Sequence, residues 1–328
     1  MDTRRGACIL AMVGLTMLSG VKLSSGSTIR IVSLGRPLPL VIGLEHGDFA
    51  RQGVQVEIDW EHSSDALRAA LAAGRADVAI AAVDNGVAMA VNRGAPIVVV
   101  MGGSDSDNEL MVQHDIASFA ALRGRTVLVD APNTAFALQL IRILQLHGLQ
   151  PGRDYRVLSL GETPLRLKAM EHNSSYSASM LWPPTSLLAR QLGMHSLGSV
   201  SQLLGPYQGM GTFTLRPWAQ THASLLERYL AGYIAATRWL LAPANKAAVV
   251  ALLEQREKLP AAIAIREYAA LKAGGIEPDA RIDEAGFRNV LEIRQAVERS
   301  WQEAPPPVAF YYDPRYYHAA LARLEEIP

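Results

Sequence analysis

Two short apolar runs joined by a helical pattern dominate the stretch from Leu71 to Val100. Val78–Val83 is continuously apolar, an alanine-rich helical pattern follows it, and Pro96–Val100 forms the second run. Short apolar runs of this kind predict parallel strands that are buried on both faces, with the helix crossing between them. The sequence therefore predicts a β-α-β unit here and an α/β fold for the part of the chain that contains it.

Polar residues follow the first apolar run directly. Asp84 and Asn85 occupy the predicted turn from strand to helix, and ligands of open α/β sheets bind beyond the carboxyl ends of such strands. An Asx turn with a helix N-cap explains the same two residues. The two roles are compatible, so both stay open at this point.

Strands and helices alternate before this unit as well. Thr28–Gly35 predicts a strand, a helix follows to about Gln52, and Val54–Trp60 alternates strictly between apolar and polar positions. Strict alternation is typical of a strand near a sheet edge. Ser64 is the predicted cap of the next helix. The first part of the chain therefore predicts an open lobe of parallel strands and short helices.

The same alternation restarts after residue 109. Arg125–Pro132, Asp154–Gly161 and Tyr176–Trp182 predict strands, with helices between them and a further helix opened by Pro183. The plan of this second part repeats that of the first, which predicts a second lobe of the same kind.

Helices dominate the last third of the chain. A glycine-rich loop leads into a predicted strand at Thr212–Arg216, and apolar residues then recur at helical spacing from Leu225 to Leu241. Asn245–Gly274 and Asp283–Trp301 are predicted to be helical, and Pro305–Pro307 separates them from a last, aromatic-rich helix.

Length and charge narrow the class of protein. The 328 residues suffice for two lobes, each with its own core. Lys and Arg together number 31, and so do Asp and Glu. No electrostatic attraction to nucleic acid or to an acidic membrane surface is therefore expected.

The N-terminus has the features of a secretory signal. Two arginines form a basic region near the start, Gly6–Val21 is apolar, and Ser24 and Gly26 supply small residues for cleavage. The apolar run is shorter than the roughly 20 residues of a membrane span, so residues 1–26 are predicted to be a cleaved signal peptide. Cys8, the only cysteine, precedes most of the apolar run, so no lipid anchor is expected. We expect a periplasmic protein, with Sec export favoured over the twin-arginine route.

Motifs of the common enzyme classes do not occur in the sequence. There is no nucleophile elbow, Walker loop, zincin motif or paired-cysteine site, and the glycines at 205, 209 and 211 lack the dinucleotide-binding spacing. The eight histidines are scattered, with no two within one helical turn. We therefore expect no catalytic residues, no metal site and no cofactor.

Several segments together resemble one family of solute-binding proteins. These are ALAAGRADVAIAAVDN, LRGRTVLVDAPNTAFALQLIRILQLHGLQPGRDY, LWPP, LGPYQGMGTFTLRPWAQTH and YYDPRYY. In order and spacing they resemble the nitrate/sulfonate/taurine-binding family of ABC importers, which includes thiamine-pyrimidine-synthesis-like proteins. The chain departs from the family at Pro132–Thr134, where a Gly-Ser turn is usual.

The resemblance implies a type II periplasmic-binding-protein fold, which has two three-layer α/β lobes with a hinge, here followed by C-terminal helices. Residues 27–110 and 205–328 would form lobe one, and residues 111–204 would form lobe two. The crossovers would lie near Leu110–Gln113 and Leu204–Thr214.

The resemblance also implies a function. The protein would be the extracytoplasmic substrate-binding component of an ABC importer. It would capture a small organic solute, anionic or zwitterionic, between the lobes and deliver it to the importer's transmembrane subunits. We expect a monomer without a nucleic-acid partner. Two alternatives remain, an enzyme on the same fold of the pyrimidine or menaquinone-pathway type, and a periplasmic sensor domain.

Ligand-binding residues should come from strand-helix turns of both lobes and from the hinge. Trp182 suits either stacking on a ligand ring or packing at the hinge. The candidate ligand-binding residues are Gly35, Arg36, Leu38, Asp84, Asn85, Gly102, Gly103, Ser104, Asn133, Thr134, Ala135, Gly161, Glu162, Trp182, Pro183, Tyr207 and Gln208.

These candidates suggest a ligand with two kinds of group. The backbone N–H groups of Thr134 and Ala135 suit a carboxylate, a sulfonate or a similar anion, and Arg36 could pair with one bidentately. Asp84 and Glu162 instead suit a ligand amine or a ring N–H. An organic molecule with both characters is therefore favoured over a simple inorganic anion.

Overall fold

The computed structural model describes residues 28–104 and 108–326, and the predicted signal peptide, residues 1–26, lies outside them. The strands are β1 Thr28–Leu34, β2 Gln55–Glu61, β3 Val78–Ala82, β4 Ile97–Ser104, β5 Glu109–Val112, β6 Thr126–Val129, β7 Arg156–Ser159, β8 Tyr176–Leu181, β9 His195–Ser199 and β10 Met210–Leu215. The α-helices are α1 Leu38–Glu45, α2 Asp48–Arg51, α3 Ser64–Ala72, α4 Val83–Arg93, α5 Ala135–Leu146, α6 Thr163–His172, α7 Thr185–Gln191, α8 Val200–Leu204, α9 Arg216–Thr221, α10 Ala223–Leu241, α11 Lys246–Arg256, α12 Ala261–Ala270, α13 Glu284–Glu298, α14 Val308–Tyr311 and α15 Arg315–Glu325.

The first sheet has the strand order β2-β1-β3-β10-β4. β1 to β4 run parallel, and β10 runs antiparallel between β3 and β4. All five residues of β3 are buried, as expected of an apolar strand covered on both faces. β2 lies at the edge, with Val56, Ile58 and Trp60 less exposed than Gln55 and Glu57. The edge strand predicted from its alternation is therefore confirmed.

The second sheet has the strand order β7-β6-β8-β5-β9. β6, β7 and β8 run parallel, and β5 runs antiparallel to its neighbours β8 and β9. The strand β9 is not predicted from the sequence, because its residues HSLGS show no apolar alternation. The two parallel cores confirm the α/β class and the repeated plan.

The chain passes between the sheets twice, from Ser104 to Glu109 and from Leu204 to Met210. We use lobe one and lobe two for the parts of the chain that carry the first and the second sheet. Leu110, which the sequence places at the end of lobe one, pairs with β8 in the second sheet.

Two C-terminal helices connect the lobes. α13 packs against α4 of lobe one and α5 of lobe two. α12 packs against α7 of lobe two, and its residues Ile263 and Tyr268 share an apolar cluster with Ile42 of α1 and Leu187 of α7. Apolar contact therefore continues from lobe one into lobe two at both helices.

Local details correct two predicted helix boundaries. The helix predicted to follow β1 is two helices, because Gly47 between them has a φ of 73°, which ends the first helix. Ser63 rather than Ser64 caps α3, since its Oγ accepts a hydrogen bond from the N–H of Ala66.

Candidate functional site

The carboxyl ends of the parallel strands in the two lobes lie close to each other. Nδ1 of His62, after β2, lies 3.3 Å from Oε2 of Glu162, after β7. Nη2 of Arg68 in α3 donates to Oδ1 of Asn133, after β6, over 3.2 Å. We call the region between the ends of β1 and β3 and the ends of β6 and β8 the cleft.

Asp84 forms an ion pair at the contact between the lobes. Its carboxylate oxygens accept hydrogen bonds from Nε and Nη2 of Arg294 in α13, each of 2.7 Å, and both side chains are only 1% exposed. Nη2 of Arg294 also donates to the backbone O of Asn133 in lobe two, at 3.1 Å. Burial disfavours the charge on Arg294, but the adjacent Asp84 carboxylate outweighs burial and raises the pKa of the guanidinium.

The helix boundary corrects the capping expectation for Asp84, and the ion pair changes what its carboxylate can offer to a ligand. The N-cap of α4 is Ala82, so Asp84 and Asn85 lie in the first helical turn rather than in a capping turn. The Asp84 carboxylate binds Arg294 and is neutralised by it, so it does not face the cleft as a free charge for a ligand amine. The sequence offers no sign of this partner, which lies 210 positions further along the chain.

Buried polar side chains surround the ion pair. Nδ2 of Asn108 donates to Oε1 of Gln139 in α5 at 2.7 Å, and Tyr207, which lies in the second crossover, is buried close to Gln139. Burial, together with the nearby Asp84 carboxylate, raises the pKa of Tyr207, so this phenol stays neutral. Asn108, Gln139 and Tyr207 therefore form a buried polar group close to the ion pair.

The first turn of α5 lies at the cleft, directly after β6. The hydroxyl of Thr134, its N-cap residue, donates to the carboxylate of Asp130, and the backbone O of Ala131 at 3.0 Å is its alternative acceptor. Because Thr134 uses its hydroxyl in this way, the first-turn N–H groups of α5 keep their capacity to bind an anion.

Arg68 approaches the same helix end from lobe one. The residue is only 7% exposed, and its Nη2 donates to Asp65 at 2.7 Å as well as to Asn133. Its Nη1, and Oδ1 of Asn85, are buried without a hydrogen-bond partner in the described parts of the chain. A buried guanidinium N–H without an acceptor is costly, so Arg68 marks a place where an oxygen of a ligand would fit. Arg68 is not predicted from the sequence, because it lies inside a helix rather than in a turn.

Arg166 supports the lobe-two side of the cleft. This fully buried side chain donates from Nη1 to the backbone O of Gly161 at 2.5 Å, from Nε to Ser179 at 2.9 Å and from Nη2 to the backbone O of Met180 at 3.0 Å. Burial lowers its pKa to about 10. Arg166 thus fixes the turn before Glu162, which is the N-cap residue of α6.

The remaining turn residues occupy the rims of the cleft. Gly35 follows β1 with a φ of 74°, and Leu38 is the first residue of α1. The exposed Arg36 guanidinium lies 5.2 Å from the ring centroid of Trp60. On the other side, Trp182 and Pro183 are half-buried between β8 and α7.

Gly102, Gly103 and Ser104 are not in a strand-helix turn as predicted, because β4 extends through all three. A Cβ on Gly102 would lie 2.3 Å from the backbone O of Arg281, so glycine is needed there for close backbone packing. Gln208 accepts a hydrogen bond from the N–H of Asp283 at 2.8 Å and donates to the backbone O of Ser104 at 3.3 Å. These contacts fasten the segment before α13 to the first sheet. They border a separate cavity of about 690 Å³ beside α15.

Metal-binding clusters and membrane-spanning helices are both absent from the described residues. No group of three or more His, Cys, Asp or Glu side chains within 28–104 and 108–326 is placed to hold a metal ion. In the same part of the chain, no helix is both long and apolar enough to cross a bilayer.

Residues 37–172 match the family model described as NMT1/THI5 like. Solved structures with the same arrangement include the alkanesulfonate-binding protein SsuA from Xanthomonas axonopodis pv. citri bound to MOPS. It is 19% identical, with a TM-score of 0.71 over 88% of this chain and 99% of that chain. The chain has the periplasmic-binding-protein fold. The resemblance and the fold class predicted from the sequence are therefore confirmed.

Two further structures show the range of proteins on this periplasmic-binding fold. The periplasmic nitrate-binding protein NrtA from Synechocystis PCC 6803 is 16% identical, with a TM-score of 0.74 over 92% of this chain and 90% of that chain. The desulfurization enzyme DSZB is 13% identical, with a TM-score of 0.63 over 91% of this chain and 99% of that chain. The search of curated proteins gave no match.

Proposed function

We propose that this protein is the extracytoplasmic substrate-binding component of an ABC importer. It captures a small organic anion or zwitterion in the cleft and delivers it to the transmembrane subunits of the importer. The fold, shared with sulfonate-binding and nitrate-binding periplasmic proteins, and the predicted signal peptide support this proposal. Ligand that contacts both lobes stabilises the closed arrangement, which the importer recognises.

The observation that carries the proposal is the unpartnered Nη1 of Arg68 beside the N-terminus of α5. Of the other charges near this point, Arg294 pairs with Asp84, and Arg166 attracts Asp130, whose carboxylate accepts a hydrogen bond from Thr134. Arg68 therefore leaves a net positive charge, offset only in part by Asp65, whose side chain is 77% exposed. A carboxylate or sulfonate oxygen would accept from Nη1 of Arg68 and from the first-turn N–H groups of α5.

The candidate ligand contacts follow from this placement. In lobe one they are Arg68, Asn85 and the turn from Gly35 to Leu38. In lobe two they are the start of α5 at Asn133–Ala135 and the turns at Gly161–Glu162 and Trp182–Pro183. Tyr207 and Gln208 shape the hinge.

Calorimetric titration with small organic sulfonates and carboxylates tests the proposal. We expect the wild-type protein to bind at least one of these anions and Arg68→Gln to bind it at least tenfold more weakly, because a charge-assisted hydrogen bond contributes roughly 1.5–3 kcal/mol. Arg238→Gln, which removes an exposed partner of Asp279, is the matched control and should bind normally. Equal affinity in Arg68→Gln would contradict the assignment, and turnover of the bound molecule would favour an enzyme.

A further inference from the structure

The helix α12 packs against α7 of lobe two and shares an apolar cluster with α1 of lobe one. Its buried face shares an apolar cluster with Leu38 and Ile42 at the start of α1 and with Leu187 and Leu188 in α7. α1 and α7 both follow strands whose carboxyl ends border the cleft, β1 and β8. α12 therefore joins the two lobes next to strand ends that border the cleft.

Glu267 stands on the buried face of α12 among apolar residues. It follows Ile263 and Ala264 by one helical turn and is only 5% exposed. Its Oε2 is buried and has no hydrogen-bond partner within the described residues. Burial raises its pKa to about 7, because desolvation disfavours the carboxylate and no cation compensates.

Two hydroxyl groups on α12 and α7 are also buried without a hydrogen-bond partner within the described residues. The phenol of Tyr268, the next residue of α12, and Oγ of Ser186 in the first turn of α7 are buried and lack partners in the part of the chain that the structure describes. Since α12 and α7 pack against each other, the two helices of this contact between the lobes carry three buried polar groups without partners. Native proteins satisfy nearly all buried polar groups, so each of these three groups has a hydrogen-bonding capacity that the described residues leave unused.

We propose that Glu267 is a specificity-determining residue of the cleft, which accepts a hydrogen bond from an amine or ring N–H of the solute. The inference rests on the proposed solute-binding function and narrows its ligand class. The solute carries an anionic group, bound on the Arg68 side, and a nitrogen donor, bound by Glu267 on the α12 side. Ser186 and Tyr268 would complete the donor site.

The experiment compares ligand pairs that differ only in the amine. The pairs are taurine and ethanesulfonate, β-alanine and propanoate, and 4-(aminomethyl)benzoate and 4-methylbenzoate, titrated by calorimetry at pH 8. We expect the wild-type protein to bind the amine-bearing member of at least one pair tenfold or more tightly. Glu267→Gln should lose this preference and keep its affinity for the amine-free member. Glu254→Gln, an exposed glutamate of α11, should keep the preference.

The outcomes separate this inference from the proposed function. If anions bind with no preference for the amine, or if Glu267→Gln keeps the preference, the role of Glu267 is overturned and the solute-binding function stands. If none of the six anions binds the wild-type protein, the proposed anion-binding function itself fails. A thermal melt of Glu267→Gln checks folding, and the ratio of the two affinities within a pair is a readout that a purely structural role would leave unchanged.

Discussion

Asp84 and Arg294, which are 210 positions apart in the chain, form a bidentate ion pair with both hydrogen bonds at 2.7 Å. The pair joins α4 of lobe one to α13, and Arg294 extends it to the backbone O of Asn133 in lobe two. Asp84, which the sequence suggests as a ligand contact, therefore helps to hold together the chain segments that border the cleft. In the proposed site, the positive charge that attracts the solute comes from Arg68.

Removal of Asp84 should destabilise the protein strongly. Asp84→Ala leaves the Arg294 guanidinium buried without its counter-ion, and loss of one partner of a buried pair costs about 3–5 kcal/mol. We expect a correspondingly lower free energy of unfolding in urea titrations. Asp115→Ala, which removes a half-exposed partner of Arg125, is the control and should cost less than about 1 kcal/mol. Equal stability of Asp84→Ala and wild type would show that the pair is not essential to the fold.

Glu267 should make the ligand-free protein less stable as the pH rises from about 4.5 to about 7. The pKa of Glu267 is about 7 in the folded chain against the ordinary 4.5, so in this interval the folded state holds a proton that the unfolded chain has released. The loss is on the order of 3 kcal/mol when the interval has been crossed. Glu267→Gln should therefore be more stable than wild type at pH 8 and nearly equal to it at pH 4. Denaturant titrations at several pH values measure this difference, and parallel pH profiles for the two proteins would refute it.

Gly102→Ala should disturb the attachment of the segment before α13. The new Cβ would meet the backbone O of Arg281 at 2.3 Å, and overpacking of this kind costs roughly 1–3 kcal/mol. Gly103→Ala, whose Cβ would be 3.3 Å from the backbone O of Met210, is the neighbouring control. Thermal melts should show a clearly larger loss for Gly102→Ala. The same loss in both variants would mean that flexibility of β4, rather than contact with Arg281, requires glycine.

Bound anion should raise the melting temperature of the wild-type protein and of the Asp84→Ala variant by similar amounts. Each rise is measured from the melting temperature of the same protein without ligand, because the variant starts from a lower stability. The reason is that Asp84 is occupied by Arg294 and makes no contact with the solute in our assignment. Melting curves of both proteins with increasing amounts of the tightest anion from the calorimetric panel give the two dissociation constants. If the variant folds but its melting temperature does not rise with added anion, Asp84 is a ligand-binding residue after all.

The sequence by itself determined the local architecture. Apolar runs such as Val78–Val83 specify buried parallel strands, strict alternation in Val54–Trp60 specifies an edge strand, and helical periodicity specifies the C-terminal helices. These signals are local, because a strand or helix face must be apolar wherever it is buried. Turn positions such as Asn133, Thr134 and Glu162 were also predictable, since the carboxyl ends of parallel strands meet at one edge of a sheet.

The tertiary structure alone decided which polar residues are free to bind a ligand. Asp84 and Asn85 look alike in the sequence, yet only Asp84 meets Arg294, and this contact depends on how α13 packs between the lobes. Arg68 and Glu267 lie within helices that carry no binding motif, and their unpartnered atoms are apparent only from burial and from the neighbouring chain segments. Pairing of charges and satisfaction of hydrogen bonds are properties of residues distant in sequence, so the chain order could not reveal them.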